Sequence, residues 1–218
     1  MEFRDAVRAR RMVRAYRSDR PVPVETLTGL LQLAVRAPSA GFSQGWDFLV
    51  LLDPADRDRF WQVTTDEAGP PDPWLLGMRT APALVVCLSD RERYLDRYAE
   101  PDKGWTDRDP GRWPVPYWDV DVGMAAMILL LAAVDAGFDG CFFGVPPAHQ
   151  AAALDAFGVP ADRRIVGVVS LGHGAPHPRS PSLRRGRRPL AEVAHAGRFG
   201  RGWPDGGTLV TGPPDAGS

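Results

Sequence analysis

The chain has 218 residues, of which 44% are hydrophobic and 24% are charged, as expected of a globular domain that is large enough to bury a core. Its net charge of −1 at pH 7 argues against nucleic-acid binding, which relies on a broad excess of basic residues. The two cysteines, Cys87 and Cys141, lie in apolar runs without metal-ligand spacing, so we expect no metal site and a reducing, cytoplasmic location.

Taken in chain order, the hydrophobic pattern predicts helices that alternate with a few strands. In the second helix the apolar positions from Leu27 to Ala34 follow the i, i+3, i+4, i+7 rule, and Pro38 stops the helix. Residues 83–88 are continuously apolar, which is typical of a strand that is covered on both faces. The predicted helices are residues 2–9, 22–37, 54–65, 119–136 and 146–157, and the predicted strands are residues 46–52, 83–88, 140–145 and 165–171. This pattern indicates an α+β sandwich.

The helix at 119–136 is the most apolar and is expected to be central. Its apolar run, residues 124–134, is about half of the roughly 20 residues needed to span a bilayer, so we predict a buried helix and no membrane span. The opening residues MEFRDAVRARR lack the apolar centre of a secretion signal.

The domain prediction is a single domain over residues 1–195, followed by a flexible tail rich in glycine and proline at 196–218. Within the domain, residues 89–118 form a charged insert that is predicted to be a long loop and carries six tyrosines and tryptophans. Loops of this length usually have a function. Two interpretations stay open: a lid over a binding site, or a segment that packs on a partner subunit.

Two arginine clusters lie at opposite ends of the sequence, in Arg10–Arg14 (RRMVR) and Arg184–Arg188 (RRGRR). Planar guanidinium groups match phosphate oxygens, so the two clusters are candidates for one phosphate site. The alternative is a solvated basic surface. The chain has neither a P-loop nor a GxGxxG motif after a strand, which argues against a nucleoside triphosphatase or a Rossmann dehydrogenase.

A turn of small residues, APSAGFSQGW, connects the second helix to the first strand at residues 37–46. Its serines and Gln44 can form hydrogen bonds, while Gly41 and Gly45 allow close approach to the backbone. Such a lining suits a planar heterocycle with polar edges. An ordinary connecting loop is the alternative.

The ordered motifs resemble the FMN-dependent nitroreductase family. The resemblance rests on residues 10–51, on DVGMAAMILLLAAVDAGFDGCFFGV at 121–145 and on RRGRRPLAEV at 184–193, and it covers about residues 3–193. It implies a three-layer α+β sandwich with a mainly antiparallel central sheet. It further implies an intertwined homodimer with FMN at the interface.

The resemblance also assigns cofactor-binding residues. The arginines would hold the FMN phosphate and ribityl end, and the turn would lie near the flavin. Met12 stands where the family usually has a small hydroxyl residue, and Phe42 stands where many members have an asparagine. The implied cofactor-binding residues are Arg10, Arg11, Met12, Arg14, Pro38, Ser39, Phe42, Gln44, Phe143, Gly144, Arg185 and Arg187.

The implied activity is NAD(P)H-dependent reduction of a small organic acceptor, such as a nitroaromatic, quinone or enone-like compound, by ping-pong hydride transfer through flavin N5. The backbone N–H of Gly144 would donate to N5, and no side chain is assigned as catalytic because the flavin performs the chemistry. The donor would be NADH or NADPH. An aromatic substrate pocket is predicted from the insert, with Trp105, Trp113, Tyr117 and Trp118 as its residues.

Two other functions remain open. Met12 and Phe42 are also compatible with a flavin-binding or storage protein without turnover. The third possibility is a biosynthetic flavin oxidase or dehydrogenase, including the flavin-fragmenting branch similar to dimethylbenzimidazole synthase, which the turn at 36–48 resembles. That branch carries an aspartate where this chain has Met12.

Overall fold

The computed structural model describes residues 1–66 and 72–204. The chain divides into two compact units, residues 1–177 and residues 178–218, and the second is described as far as residue 204. Residues 67–71 and most of the predicted tail lie outside the described residues. The assignment of 1–195 to one domain stays a prediction.

The first unit contains the sheet and most of the helices. Its helices are Phe3–Ala9 (α1), Val24–Ala34 (α2), Pro54–Thr64 (α3), Pro73–Met78 (α4), Arg91–Ala99 (α5), Tyr117–Asp135 (α6) and Pro147–Ala156 (α7). Its strands are Trp46–Leu51 (β1), Ala83–Asp90 (β2), Asp139–Phe143 (β3) and Arg163–Gly172 (β4). In the second unit, Leu190–Val193 forms a short helix, α8.

The sheet has the order β1-β2-β4-β3, and every pair of neighbours is antiparallel. All residues of β2 are buried, and its side chains alternate between the two faces. Those at odd positions from Ala83 to Cys87 pack with α2 and α6, and those at even positions from Leu84 to Leu88 pack with α3 and α7. The predicted three-layer α+β sandwich is therefore confirmed.

Helix α6 is the central helix of the first layer, as predicted. Val122, Ala125 and Leu129 are completely buried at i, i+3 and i+7, on the face that packs against the sheet. In the part of the chain that the structure describes, α6 is the one helix long and apolar enough to cross a membrane, a property that it shares with core helices of soluble proteins. Its packing identifies it as a core helix.

The insert differs from the predicted loop. Residues 89 and 90 complete β2, residues 117 and 118 begin α6, and α5 occupies 91–99. The side chain of Asp90 caps α5 by accepting the Arg93 backbone N–H at 3.3 Å. The helix was missed because its few apolar residues, among them the buried Tyr94 and Leu95, are embedded in charged positions.

Helix α4 was also missed, although its start carries a recognisable signal. The Asp72 side chain accepts the Leu75 N–H at 2.7 Å, and Pro73 occupies the first helical turn. This aspartate–proline pair is a favourable helix start. The surrounding glycines and prolines concealed it, because they are typical of a loop.

A buried hydroxyl network joins the segment after α1 to the sheet, and we expect Tyr16→Phe to destabilise the protein by about 1–3 kcal/mol. The Tyr16 hydroxyl donates to the Val13 carbonyl at 2.7 Å and lies 2.8 Å from the Ser170 hydroxyl. Burial raises the pKa of Tyr16, so the hydroxyl stays protonated. Urea unfolding measures the effect. Tyr117→Phe is the control, since Tyr117 is 40% exposed, and equal unfolding of both variants would contradict the assigned role.

Candidate functional site

The segment after α1 runs alongside the edge strand β3. Met12 forms a parallel bridge with Gly140, and the Val13 N–H donates to the Gly140 carbonyl at 3.1 Å. The Phe142 N–H points to the Met12 sulfur at 3.4 Å. The structure thus brings the first arginine cluster to the strand that carries Phe143. Met12, which is half-buried, packs against the core from this position.

Arg10 is distinguished from the other arginines of the cluster by its buried guanidinium nitrogen. Its Nη1 atom is buried, and it has no hydrogen-bond partner within residues 1–66 and 72–204. A buried donor without an acceptor is unfavourable by about 1–3 kcal/mol, and more when it is charged. A bound anion would provide the missing acceptor.

The other residues of the first cluster are held differently. The Arg14 backbone N–H donates to His177 Nε2 at 3.4 Å, and its guanidinium donates to the Met12 carbonyl at 3.3 Å. Arg11 is exposed, and its guanidinium donates to the carbonyls of Arg8 and Arg10. Arg10 and Arg14 are therefore the half-buried members of the cluster, and Arg11 lies over the end of α1.

Cys141, on β3, is a buried free cysteine. Burial raises the pKa of the Cys141 thiol, and the positive charges of Arg14 and Arg10 offset part of that shift. Its burial agrees with the interpretation of Cys141 as a small core residue.

The turn between α2 and β1 has an unusual backbone. Gly41, Phe42 and Gln44 have φ values of 61°, 57° and 50°, so two residues with side chains adopt the left-handed region. The Ser39 Oγ accepts the Gln44 N–H at 3.0 Å, and the Ser43 hydroxyl donates to the Ala40 carbonyl at 2.7 Å. Such conformations concentrate at functional sites. The turn also leaves the Phe42 side chain 75% exposed; Pro38, at its start, is likewise exposed.

Phe143 and Gly144, which the sequence places beside the flavin, lie at the end of β3. The Phe143 ring stacks on Trp61 with a centroid distance of 5.5 Å and an interplanar angle of 13°. Edge contacts with Phe60 and Trp74 complete this aromatic cluster. The half-buried Phe143 ring therefore packs against the core. Gly144 is exposed, and a Cβ at this position would meet no atom within 4 Å.

The four residues of the predicted substrate pocket do come together. Trp113 lies at the centre, with ring-centroid distances of 5.5 Å to Trp105, 5.8 Å to Tyr117 and 6.0 Å to Trp118. The Trp113 indole nitrogen is buried and has no hydrogen-bond partner among the described residues. Their role in substrate binding stays a prediction.

Arg185 and Arg187 belong to the second unit, where both are exposed. Gly186 between them has a φ of 67°, a conformation that glycine adopts without steric cost. That the two arginine clusters meet at one phosphate stays a prediction.

Within one chain, the turn before β1 and the first arginine cluster beside β3 lie far apart. Trp46 pairs with Ser89, which is level with Arg164 on β4, whereas Gly140 pairs with Leu171. Seven residues along β4 correspond to roughly 23 Å, and the two edge strands are separated by about 14 Å across the sheet. The strand register therefore places the turn and the first arginine cluster at opposite edges and opposite ends of the sheet.

Sequence reasoning missed the residue that supports the turn, Asp121. Its carboxylate is 2% exposed and contacts both the turn and Tyr94 of the insert. The available signal was a carboxylate on the buried face of an otherwise apolar helix, one residue before Val122. Among the described residues, no group of three or more His, Cys, Asp or Glu has the geometry of a metal site.

Comparison with known proteins settles the family. The model of the Nitroreductase family matches residues 7–173. The chain belongs to the nitroreductase family. A protein of Archaeoglobus fulgidus described as an NADH dehydrogenase or NAD(P)H nitroreductase is 28% identical over 166 residues, which are 75% of this chain and 80% of the relative.

Two solved structures of the family's fold are similar to the chain. A protein of Exiguobacterium sibiricum described as a nitroreductase, in complex with FMN, has a TM-score of 0.66 and 21% identity, covering 87% of this chain and 98% of that one. The NADPH:FMN oxidoreductase of Vibrio harveyi, in complex with NAD⁺, has a TM-score of 0.67 and 20% identity, covering 90% and 77%. At these identities the likeness shows the fold.

Proposed function

We propose that this member of the nitroreductase family is an FMN-dependent NAD(P)H oxidoreductase that reduces a small organic acceptor. The observation that carries the proposal is the buried Nη1 of Arg10, which has no partner among the described residues and lies on the segment that runs alongside β3. A phosphate oxygen would satisfy this donor. The FMN and NAD⁺ bound to the two similar structures support the same assignment.

In this proposal the residues of the chain bind and orient the cofactor. Arg10 and Arg14, with Arg185 and Arg187 of the second unit, would neutralise the phosphate charge. Gly144 would allow a ring to approach its backbone N–H, because its surroundings are open. When bound, FMN would supply hydride transfer from NADH or NADPH to the acceptor.

We further propose that the site is shared between two copies in a homodimer. The turn and the arginine segment lie at opposite edges of one sheet, so one copy would supply each. Helix α6 has a second apolar stripe on its outer side, where Val120 and Met127 are 40% and 43% exposed and Gly123 lies between them. A helix that is apolar on all sides is normally buried, and a second copy would cover this stripe.

The function is tested by titrating the purified protein with FMN and then adding NADH or NADPH without oxygen. We expect binding, followed by loss of the yellow flavin absorption, as for any flavin that accepts a hydride. Absence of FMN binding would refute the proposed function. Binding without bleaching by either nucleotide would instead favour the flavin-storage alternative, to which Met12 and the exposed Phe42 are also suited.

A shared site predicts complementation between two inactive variants. Arg10→Ala removes the anion contact, and Gly41→Val introduces a β-branched residue at a φ of 61°, with its Cβ 2.6 Å from the Tyr98 ring. A heterodimer of the two carries one doubly altered site and one intact site. We expect co-expressed, differently tagged chains to recover about half of the normal FMN occupancy, by the symmetry of a two-fold dimer. No recovery would show that each copy builds its site alone.

The acceptor class we propose is nitroaromatic, quinone or enone-like, bound beside the aromatic cluster around Trp113, in a cytoplasmic enzyme. Stacking on tryptophan and tyrosine rings favours planar substrates. A steady-state comparison of these three acceptor classes tests the assignment. Oxygen consumption faster than reduction of any of them would instead favour the oxidase alternative.

A further inference from the structure

The insert and the turn meet at a single buried carboxylate. Asp121 Oδ2 accepts the Tyr94 hydroxyl at 2.7 Å and the Ala40 backbone N–H at 2.9 Å. Asp121 lies on α6, Tyr94 on α5 and Ala40 in the turn, so one oxygen connects three elements. Tyr94 is completely buried, and Asp121 is 2% exposed. Hydrogen bonds to a buried charged group are stronger than those between neutral groups.

Further contacts press α5 against the same turn. The Arg97 guanidinium donates to the Gly41 carbonyl at 2.9 Å, and the Tyr98 ring lies where a Cβ on Gly41 would be, at 2.6 Å. On the other side, a Cβ on Gly45 would lie 2.4 Å from the Tyr94 ring. The insert therefore leaves no room for a side chain at Gly41 or Gly45, and the positive φ of Gly41 favours glycine independently.

These contacts act on the part of the turn that is strained. Phe42 and Gln44 adopt left-handed backbone conformations that side chains disfavour, and such conformations persist only where the surroundings hold them. The Ala40 N–H that Asp121 accepts comes immediately before this stretch. The first half of the insert thus packs directly on the turn.

We propose that Asp121 is a positioning residue that, together with Tyr94, holds the turn at residues 39–45 in the conformation that receives the flavin of the partner's arginine segment. This inference rests on the proposed function for the identity of the ligand. The holding of the turn itself is independent of the ligand and can be measured in the cofactor-free protein.

The variants are chosen to separate the carboxylate from general destabilisation. Asp121→Leu removes the acceptor, Asp121→Asn keeps an oxygen that can accept both donors, and Tyr94→Phe removes one donor. Asp119→Asn is the matched control on the same helix. The Asp119 carboxylate accepts from the Ser89 hydroxyl at 2.7 Å and from Arg164 at 2.9 Å, and neither partner belongs to the turn.

The first measurement is hydrogen exchange of the segment 38–46 in the cofactor-free protein, followed by FMN titration and visible circular dichroism of the bound flavin. We expect Asp121→Leu to speed exchange in this segment and to weaken FMN binding by about tenfold or more, as for the loss of a charge-assisted hydrogen bond. Asp121→Asn should restore most of both properties. Asp119→Asn should leave both at wild-type values.

The outcomes distinguish this inference from the proposed function. If the wild-type protein binds no FMN, the proposed function fails, and the exchange rates still decide whether Asp121 holds the turn. If Asp121→Leu and Tyr94→Phe both fold and exchange like the wild type, the positioning role is refuted even when FMN binds. If exchange changes equally in Asp119→Asn, the effect is a general loss of stability and the inference is overturned.

Discussion

Replacement of Arg10 by alanine is expected to weaken FMN binding by about 1.5–3 kcal/mol, which corresponds to roughly 10- to 150-fold in the dissociation constant. The physical reason is the buried Nη1 atom, which has no partner among the described residues. In the wild type, a phosphate oxygen would relieve this unpaired donor and gain a charge-assisted hydrogen bond. The alanine variant lacks both the unpaired donor and the bond. Fluorescence titration of FMN measures the difference.

The unfolding free energy of the cofactor-free Arg10→Ala variant provides an internal check. Because the substitution removes an unsatisfied buried donor, the cofactor-free protein should lose little stability or even gain some. Arg4→Ala is the control, since Arg4 is an exposed arginine on α1. If Arg10→Ala and Arg4→Ala bind FMN equally well, Arg10 does not belong to the phosphate site.

The second arginine cluster can be tested with the same titration. Arg187→Ala should lower FMN affinity by a similar amount, and the double variant should show coupling between the two sites. Two arginines that share one phosphate are coupled, because removal of one changes the charge that the other must neutralise. Strictly additive effects would indicate that Arg187 acts elsewhere.

Much of the fold could be predicted from the sequence because its central strand β2 is buried on both faces and its main helices have regular apolar faces. The apolar run in β2 and the regular apolar face of α2 identified those elements to within a few residues. Helices α4 and α5 were not predicted because their stability comes from tertiary contacts and caps, while their composition is that of loops. The aromatic residues of the insert indicated that it packs, but gave no hint that it packs on the turn.

The candidate site was harder to predict because hydrogen bonds between distant elements leave little trace in a sequence. Arg10 was identified from its cluster, but nothing in the sequence distinguishes it from the exposed Arg11. Asp121 was overlooked because a single acidic residue in an apolar helix can have many explanations. The two-copy arrangement depends on the strand order, which places β1 and β3 at opposite edges, and strand order is not encoded in the periodicity of individual strands.

Among substitutions outside the arginine segment, Gly77→Ala is expected to displace that segment most. A Cβ on Gly77 would lie 2.1 Å from the Arg14 carbonyl oxygen, which belongs to the backbone and cannot turn away. Two hydrogen bonds hold the arginine segment close to Gly77. The Tyr16 N–H donates to the Thr80 hydroxyl at 2.8 Å, and that hydroxyl donates to the Gly77 carbonyl at 2.6 Å. Accommodating the methyl group must therefore displace Arg14.

We expect Gly77→Ala to reduce the free energy of unfolding by about 1–3 kcal/mol through overpacking, in spite of alanine's higher helix propensity. FMN affinity should fall as well, because the displacement of Arg14 disturbs its hydrogen bond to the Met12 carbonyl on the segment that also carries Arg10. Gly29→Ala in α2 is the matched control: its Cβ would meet no atom within 4 Å, so it should stabilise the helix by about 0.5–1 kcal/mol and leave FMN binding unchanged. Urea unfolding and FMN titration of both variants give the comparison. If the two variants have equal unfolding free energies and FMN affinities, the contact with α4 does not position Arg14. The arginine segment would then be positioned by its bridge with β3 alone.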